Sequence, residues 1–213
     1  MEQRTIVRFR KRAILIHWLF AVTFAVMLVT GGIMFFDLTS MDGGVQIRTI
    51  HRTAAVFFVL LPVIYMILDP KTAIGFLREA LRWDRDALVW LRMSLKYYFA
   101  GKGQMPPQGY INGDQKLWQL LVIVTGVVFA LTGILLWFFK LKIPLAFYQS
   151  VLLTHAVSFV VFLLMFPVHF YLTTLHSRFE ESLSSMIDGK VSESYAKEHY
   201  TKWYKEKTPY SIS

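Results

Sequence analysis

Between Phe147 and Leu175 the chain runs for 29 residues without Asp, Glu, Lys or Arg, and the run holds two histidines, His155 and His169. A stretch this long and apolar predicts a helix that crosses a lipid bilayer. In lipid an imidazole costs free energy unless something engages it, so a histidine there points to function. The two are 14 residues apart. Helical geometry leaves them about 40° from eclipsed and about 21 Å apart along the axis, most of the depth of a hydrocarbon core. Two histidines on one face, near opposite surfaces, suggest two groups in a column. Imidazole nitrogen is a standard axial ligand of haem iron, so the rest of the chain should supply two more ligands, one near each surface.

Three further apolar blocks precede this one. Together they predict an all-α integral membrane protein, a four-helix bundle with cytoplasmic surface helices and a soluble C-terminal tail. Spans are expected at about 13–36, 50–68, 117–139 and 145–175, within a bundle domain of residues 1–175, and the tail covers 176–213. The first block could also open a secretory signal. Its length, His17 and Trp18 inside it, and the lack of an A-x-A site favour a span. With no cysteine, the chain has no disulfides, no thiolate-held iron–sulfur cluster and no C-x-x-C-H haem attachment. The net charge of +9 comes from basic residues flanking the apolar blocks. Membrane lipid headgroups account for that pattern, and nucleic acid is not an expected partner.

Within the first block Gly31 lies 14 residues after His17 and shares its face. It leaves room for a flat, bulky ligand against the backbone; close packing of helices is the other reading. The connection that follows has turn chemistry at Asp42-Gly43-Gly44. Pro62 should kink the second span, and Asp69-Pro70 should end it. Residues 71–116 intersperse charges with Leu, Trp and Phe, which predicts amphipathic surface helices over 73–82 and 85–100, the second capped by Asp84.

Lys and Arg number five before the first span, eight over 70–116 and six in the tail, against one over 37–50 and two over 140–144. The positive-inside rule then places both termini and the 71–116 segment in the cytoplasm. Depth follows from this topology. His17 and His169 lie toward the inner face, and His51 and His155 toward the outer. The economical reading is two haems b, ligated by the pairs His17–His169 and His51–His155. Zinc or copper would need ligands gathered at one depth. Arg8, Arg12, Arg48 and Arg52 are placed to meet haem propionates. His176 shares the His169 face but lies at the boundary, and His199 lies in the tail; neither joins the ligand set.

The sequence resembles the gamma subunit of membrane-bound bacterial formate dehydrogenases, a dihaem cytochrome b. The wider group includes cytochrome b subunits of nickel–iron hydrogenases and thiosulfate reductases. The resemblance covers nearly the whole chain. It is carried by His17-Trp18, Thr30-Gly31, Ile50-His51, the loop Tyr110-Ile111-Asn112-Gly113-Asp114-Gln115-Lys116, Thr132-Gly133-Ile134, His155-Ala156, the His169 region, Gly189-Lys190-Val191-Ser192 and Trp203-Tyr204. It implies an electron-transfer subunit whose substrate-oxidising site lies in another chain. Its implied partners are an iron–sulfur subunit and a molybdenum- or tungsten-dependent catalytic subunit on the periplasmic side. Electrons would pass from the outer haem to the inner haem and then to menaquinone near the cytoplasmic face of the bacterial inner membrane. The resemblance also implies a quinone site at His169, Asn112, Gly113, Asp114 and Gln115. Asp114 departs from the family's small residue and adds a group able to carry a proton. Besides the hydrogenase and thiosulfate reductase types, a stand-alone b561-type transmembrane reductase and a transporter with a histidine proton relay remain competing readings.

Overall fold

The computed structural model describes residues 4–101, 104–177 and 180–207. The end of the expected tail, 208–213, lies outside the described residues. Strand β1 (Thr5–Val7) precedes α1 (Lys11–Phe35) and α2 (Met41–Leu68). Next come α3 (Pro70–Leu81), α4 (Arg85–Ala100), α5 (Gly113–Phe138) and α6 (Leu145–Phe170). A π-helical turn, Tyr171–Leu175, continues α6, and α7 (Glu180–Asp188), β2 (Lys190–Ser192), α8 (Glu193–His199) and α9 (Thr201–Lys207) follow. Among the described residues the architecture is all-α apart from one short strand pair.

Four helices, at Lys11–Phe35, Gly43–Leu68, Gly113–Phe138 and Leu145–Leu175, are long and apolar enough to cross a membrane. Their large apolar side chains point outward, as at Val22, Ile67, Val127, Leu153 and Leu164. Water would penalise such an exterior, whereas a bilayer accommodates it because helices satisfy their own backbone groups.

The chain divides into two compact units. The first contains Met1–Ile14, Lys71–Leu121 and His169–Ser213. In it β1 and β2 pair antiparallel, with Thr5 opposite Ser192 and Val7 opposite Lys190. Val191, Tyr195, Ala196, Tyr200, Trp203 and Tyr204 form its core, and Ile6, Tyr98 and Tyr110 pack against them. The amphipathic helices α3 and α4 match the expected 73–82 and 85–100 within a few residues, and the Asp84 carboxylate accepts from Ala87 N at 2.8 Å as the N-cap of α4. Gly189 has φ +83 and sits against the Phe9 carbonyl oxygen, so only glycine suits both its backbone and its surroundings. Its own carbonyl accepts from Arg8 N and Phe9 N at 2.8 and 3.1 Å.

The second unit contains Leu15–Pro70 and Val122–Val168. Aromatic side chains fill it, with Phe20 on Phe58 at 4.2 Å and Phe24 on Phe162 at 4.5 Å between ring centroids. Pro62 lies inside α2, as expected. The start of α2 differs from the sequence expectation. Asp42-Gly43-Gly44 is not a free turn but the first turn of the helix, because Ser40 caps it by accepting from Gly43 N at 3.4 Å. Similarly, α5 begins at Gly113, four residues before the expected span.

Candidate functional site

The expected site residues fall into both units. In the second, α2 carries His51 and α6 carries His155. The structure brings these two together, with ring centroids 6.5 Å apart. Two imidazole nitrogens each about 2 Å from a shared metal ion put the ring centroids about 6 Å apart, so one iron suits this spacing.

Each of these rings is held on its other side. His51 Nδ1 lies 2.9 Å from Thr30 Oγ1 on α1. His155 Nδ1 lies 2.7 Å from Thr132 Oγ1 on α5. Both threonines are buried. With Nδ1 engaged, the Nε2 atoms are the ones left to hold a metal. Gly31, next to Thr30, is close to the His51 ring, since a Cβ there would lie 3.5 Å from His51 Cε1. Gly133, next to Thr132, opens on space within 4 Å. A flat ligand needs such relief. Arg48 and Arg52 are exposed in this unit; Arg48 folds over Gly44, and the Arg52 guanidinium lies 5.4 Å from the Trp137 ring centroid. His17 is exposed, with its ring edge-on to Trp18 at 5.4 Å.

The first unit holds Arg8, Arg12, His169 and the whole Asn112–Gln115 segment, which forms the cap and first turn of α5. His169 stacks on Trp118 of α5, with centroids 4.2 Å apart and planes 6° from parallel. One helical turn before Trp118 on the same helix comes Asp114. Its carboxylate accepts from Trp90 Nε1 at 2.6 Å and from the Tyr98 hydroxyl. Trp90 and Tyr98 lie about two turns apart, so one face of α4 presents both donors. Burial and the Asp114 carboxylate push the Tyr98 phenol well up from its usual range. Tyr98 therefore serves as a hydrogen-bond donor at any ordinary pH.

Asn112 and Gln115 form a reciprocal cap for α5. The Asn112 side chain accepts from Gln115 N at 2.9 Å, and the Gln115 side chain accepts from Asn112 N at 3.0 Å. Gln115 Nε2 also donates to the Tyr200 hydroxyl at 3.1 Å. Gly113 is required by the close approach of α4: a Cβ there would collide with the Ala87 carbonyl oxygen. Lys116 is buried and donates to the Arg82 carbonyl at 2.7 Å, with Glu79 at 3.6 Å.

Arg8 is 5% exposed, and among the described residues its Nε and Nη1 meet no hydrogen-bond acceptor. Its Nη2 donates to the Tyr110 carbonyl at 3.2 Å, and its guanidinium lies over the Tyr200 ring at 3.7 Å. A buried cation with two idle donors suits an added anion such as a propionate. Arg12 is exposed. Sequence reasoning passed over the roles of Thr30, Thr132, Trp90, Tyr98 and Trp118 near these groups. Spacing could have flagged the α4 donors, but not that they meet Asp114.

A family model described as prokaryotic cytochrome b561 matches residues 8–189. The formate dehydrogenase, nitrate-inducible, cytochrome b556(Fdn) subunit of Escherichia coli K12 is 23% identical over 198 residues, covering 89% of this chain and 86% of that protein. The formate dehydrogenase cytochrome b556 subunit of Haemophilus influenzae Rd is 26% identical over 216 residues, covering 94% and 83%. A second Escherichia coli K12 relative, the cytochrome b556(fdo) subunit, is 24% identical over 214 residues, covering 97% and 95%. With its four apolar helices and a family match running over most of its length, this chain belongs to the prokaryotic cytochrome b561 family.

Proposed function

We propose that this chain is the membrane-anchoring cytochrome b subunit of a respiratory oxidoreductase of the formate dehydrogenase type. It carries electrons from an iron–sulfur subunit on the periplasmic side, through two haems b, to menaquinone near the cytoplasmic face of the inner membrane. A molybdenum- or tungsten-dependent catalytic subunit oxidises the substrate. The observation that carries this reading is the facing pair His51 and His155, at the spacing one iron requires. The names of the relatives, all formate dehydrogenase cytochrome b556 subunits, supply the type of complex.

Haem b with two imidazole ligands supplies reversible one-electron transfer between its ferric and ferrous states. The residues of this chain do the rest. His51 and His155 would hold the outer iron. His17 and His169 would hold the inner one. Arg8, with two unused donors, and Arg12 receive propionates on the inner side; Arg48 and Arg52 receive them on the outer side. Gly31 gives a macrocycle close access to the backbone.

Menaquinone reduction consumes two electrons and two protons per molecule. Asn112 and Gln115 fix the start of α5, which sets where a quinone carbonyl can approach beside His169 and Gly113. Asp114 lies one turn from the Trp118–His169 stack and carries a proton toward the quinone oxygen. Tyr98 and Trp90 hold its carboxyl in place.

The test is a reduced-minus-oxidised spectrum with haem quantitation on wild type, His51→Ala and His169→Ala. Two haems b in the wild type, with one lost in each variant, are expected. No haem, or full occupancy in both variants, overturns the reading. Retention of an iron–sulfur partner on mild purification separates it from a stand-alone transmembrane reductase.

A further inference from the structure

We propose, building on the haem reading above, that Thr30 and Thr132 are positioning residues for the outer iron: each hydroxyl takes the Nδ1 proton of the histidine it faces, which commits both Nε2 atoms to the metal and sets the donor strength of the pair. A threonine hydroxyl has one proton to give. Thr30 Oγ1 gives it to the Val26 carbonyl at 2.7 Å, and Thr132 Oγ1 gives it to the Val128 carbonyl at 2.6 Å. These carbonyls can only accept. The nearby Met27 and Phe129 carbonyls, at 3.3 and 3.4 Å, are also acceptors, so the hydroxyl proton has no reason to turn toward the histidine. Each Oγ1 therefore faces its ring as an acceptor, and each Nδ1 carries hydrogen.

Back-bonding to the carbonyl four residues earlier is common in this chain and is not by itself a function. Thr49, Ser150, Thr154 and Ser158 do the same at exposed positions. Thr30 and Thr132 differ in two ways. They are 5% and 7% exposed, and each has a histidine nitrogen as third partner. The arrangement also recurs: a Thr-Gly on α1 serves the histidine of α2, and a Thr-Gly on α5 serves the histidine of α6. A hydrogen bond from Nδ1–H to an acceptor raises the basicity of the imidazole and favours the more positive iron.

Thr→Val keeps the shape and removes the acceptor. The experiment is a redox titration of purified wild type, Thr30→Val, Thr132→Val, Thr132→Ser and the double valine variant. The transition followed is the one missing in His51→Ala. The expected result is haem retained in the variants, with that midpoint potential moved upward. Thr30→Val and Thr132→Val should each move it, because each leaves one Nδ1–H without its hydroxyl acceptor. The double variant should move furthest, and Thr132→Ser should return to the wild-type value. Haem retained at an unchanged potential in the double variant overturns the positioning role while leaving ligation standing. Haem loss in both Thr132→Val and Thr132→Ser also overturns it, since the hydroxyl then fails to rescue. Absence of haem from the wild type itself overturns the haem reading instead.

Discussion

Asp114 is the residue whose surroundings say most beyond the histidines. A carboxyl half-hidden between Trp90 and Tyr98 is held in one orientation by neutral donors on a single helix face. If it delivers protons to quinone, Asp114→Asn should leave the haem spectrum intact and slow quinone reduction about 100-fold, a typical weight for a positioned proton donor. Tyr98→Phe should slow it less, because Trp90 still holds the carboxyl. Stopped-flow reduction of a menaquinone analogue reads both; an Asn variant as fast as wild type would remove Asp114 from the proton route. At this scale the sequence was informative about which residues could react and silent about which residues hold them. The spacing of His155 and His169 is a property of one helix and could be computed. The Thr30–His51 and Thr132–His155 bonds join different helices. The dipeptide Thr-Gly occurs three times in the chain, so the motif alone does not say which hydroxyl meets a histidine.

Among the elements, the helices of periodic composition were the legible ones. The bounds of α3 and α4 follow from their alternation of Leu and Arg, and Asp84 caps α4 as its position suggests. The misplaced start of α2 has a local cause: Gly43-Gly44 disfavours helix, but the Ser40 cap and the continuing chain outweigh that. Strands of three residues each, β1 and β2, carry too little alternation to be seen at all. Asp84 has a second task, because its carboxylate accepts from Lys202 Nζ of α9 at 2.8 Å while Asp86 takes the same ammonium at 2.7 Å. The hydrogen bond from Lys202 holds the Asp84 carboxyl below its usual range. What this clasp contributes to stability is full above the ordinary carboxylate range and fades as pH falls through the lower folded value. The pair is partly exposed, so the contribution is small. The difference in unfolding temperature between wild type and Lys202→Ala should therefore close as the pH drops below about 4. A difference that stays constant from neutral to acid pH would assign Lys202 a packing role only.

For the whole molecule, the charge asymmetry predicts that the tail and the α3–α4 segment share one side of the membrane. The chain has no cysteine, so a single introduced thiol reports its own side without background. A cysteine at the exposed Ser184 of α7 should react only from the cytoplasmic side, and one at Leu141, which is 94% exposed, only from the outside. Labelling of both from the same side of sealed vesicles would break the four-span topology. The membrane class and the four long apolar helices could be read from the sequence because lipid forces long apolar runs. The compact unit built from chain segments far apart could not, because no local pattern encodes its pairing. That unit also imposes an order on biosynthesis. Thr5 pairs with Ser192, and Glu193 N donates to the Arg4 carbonyl, so β1 waits unpaired until β2 has been made. All four apolar helices lie between the two strands, so the ribosome must complete every one of them before this clasp can shut.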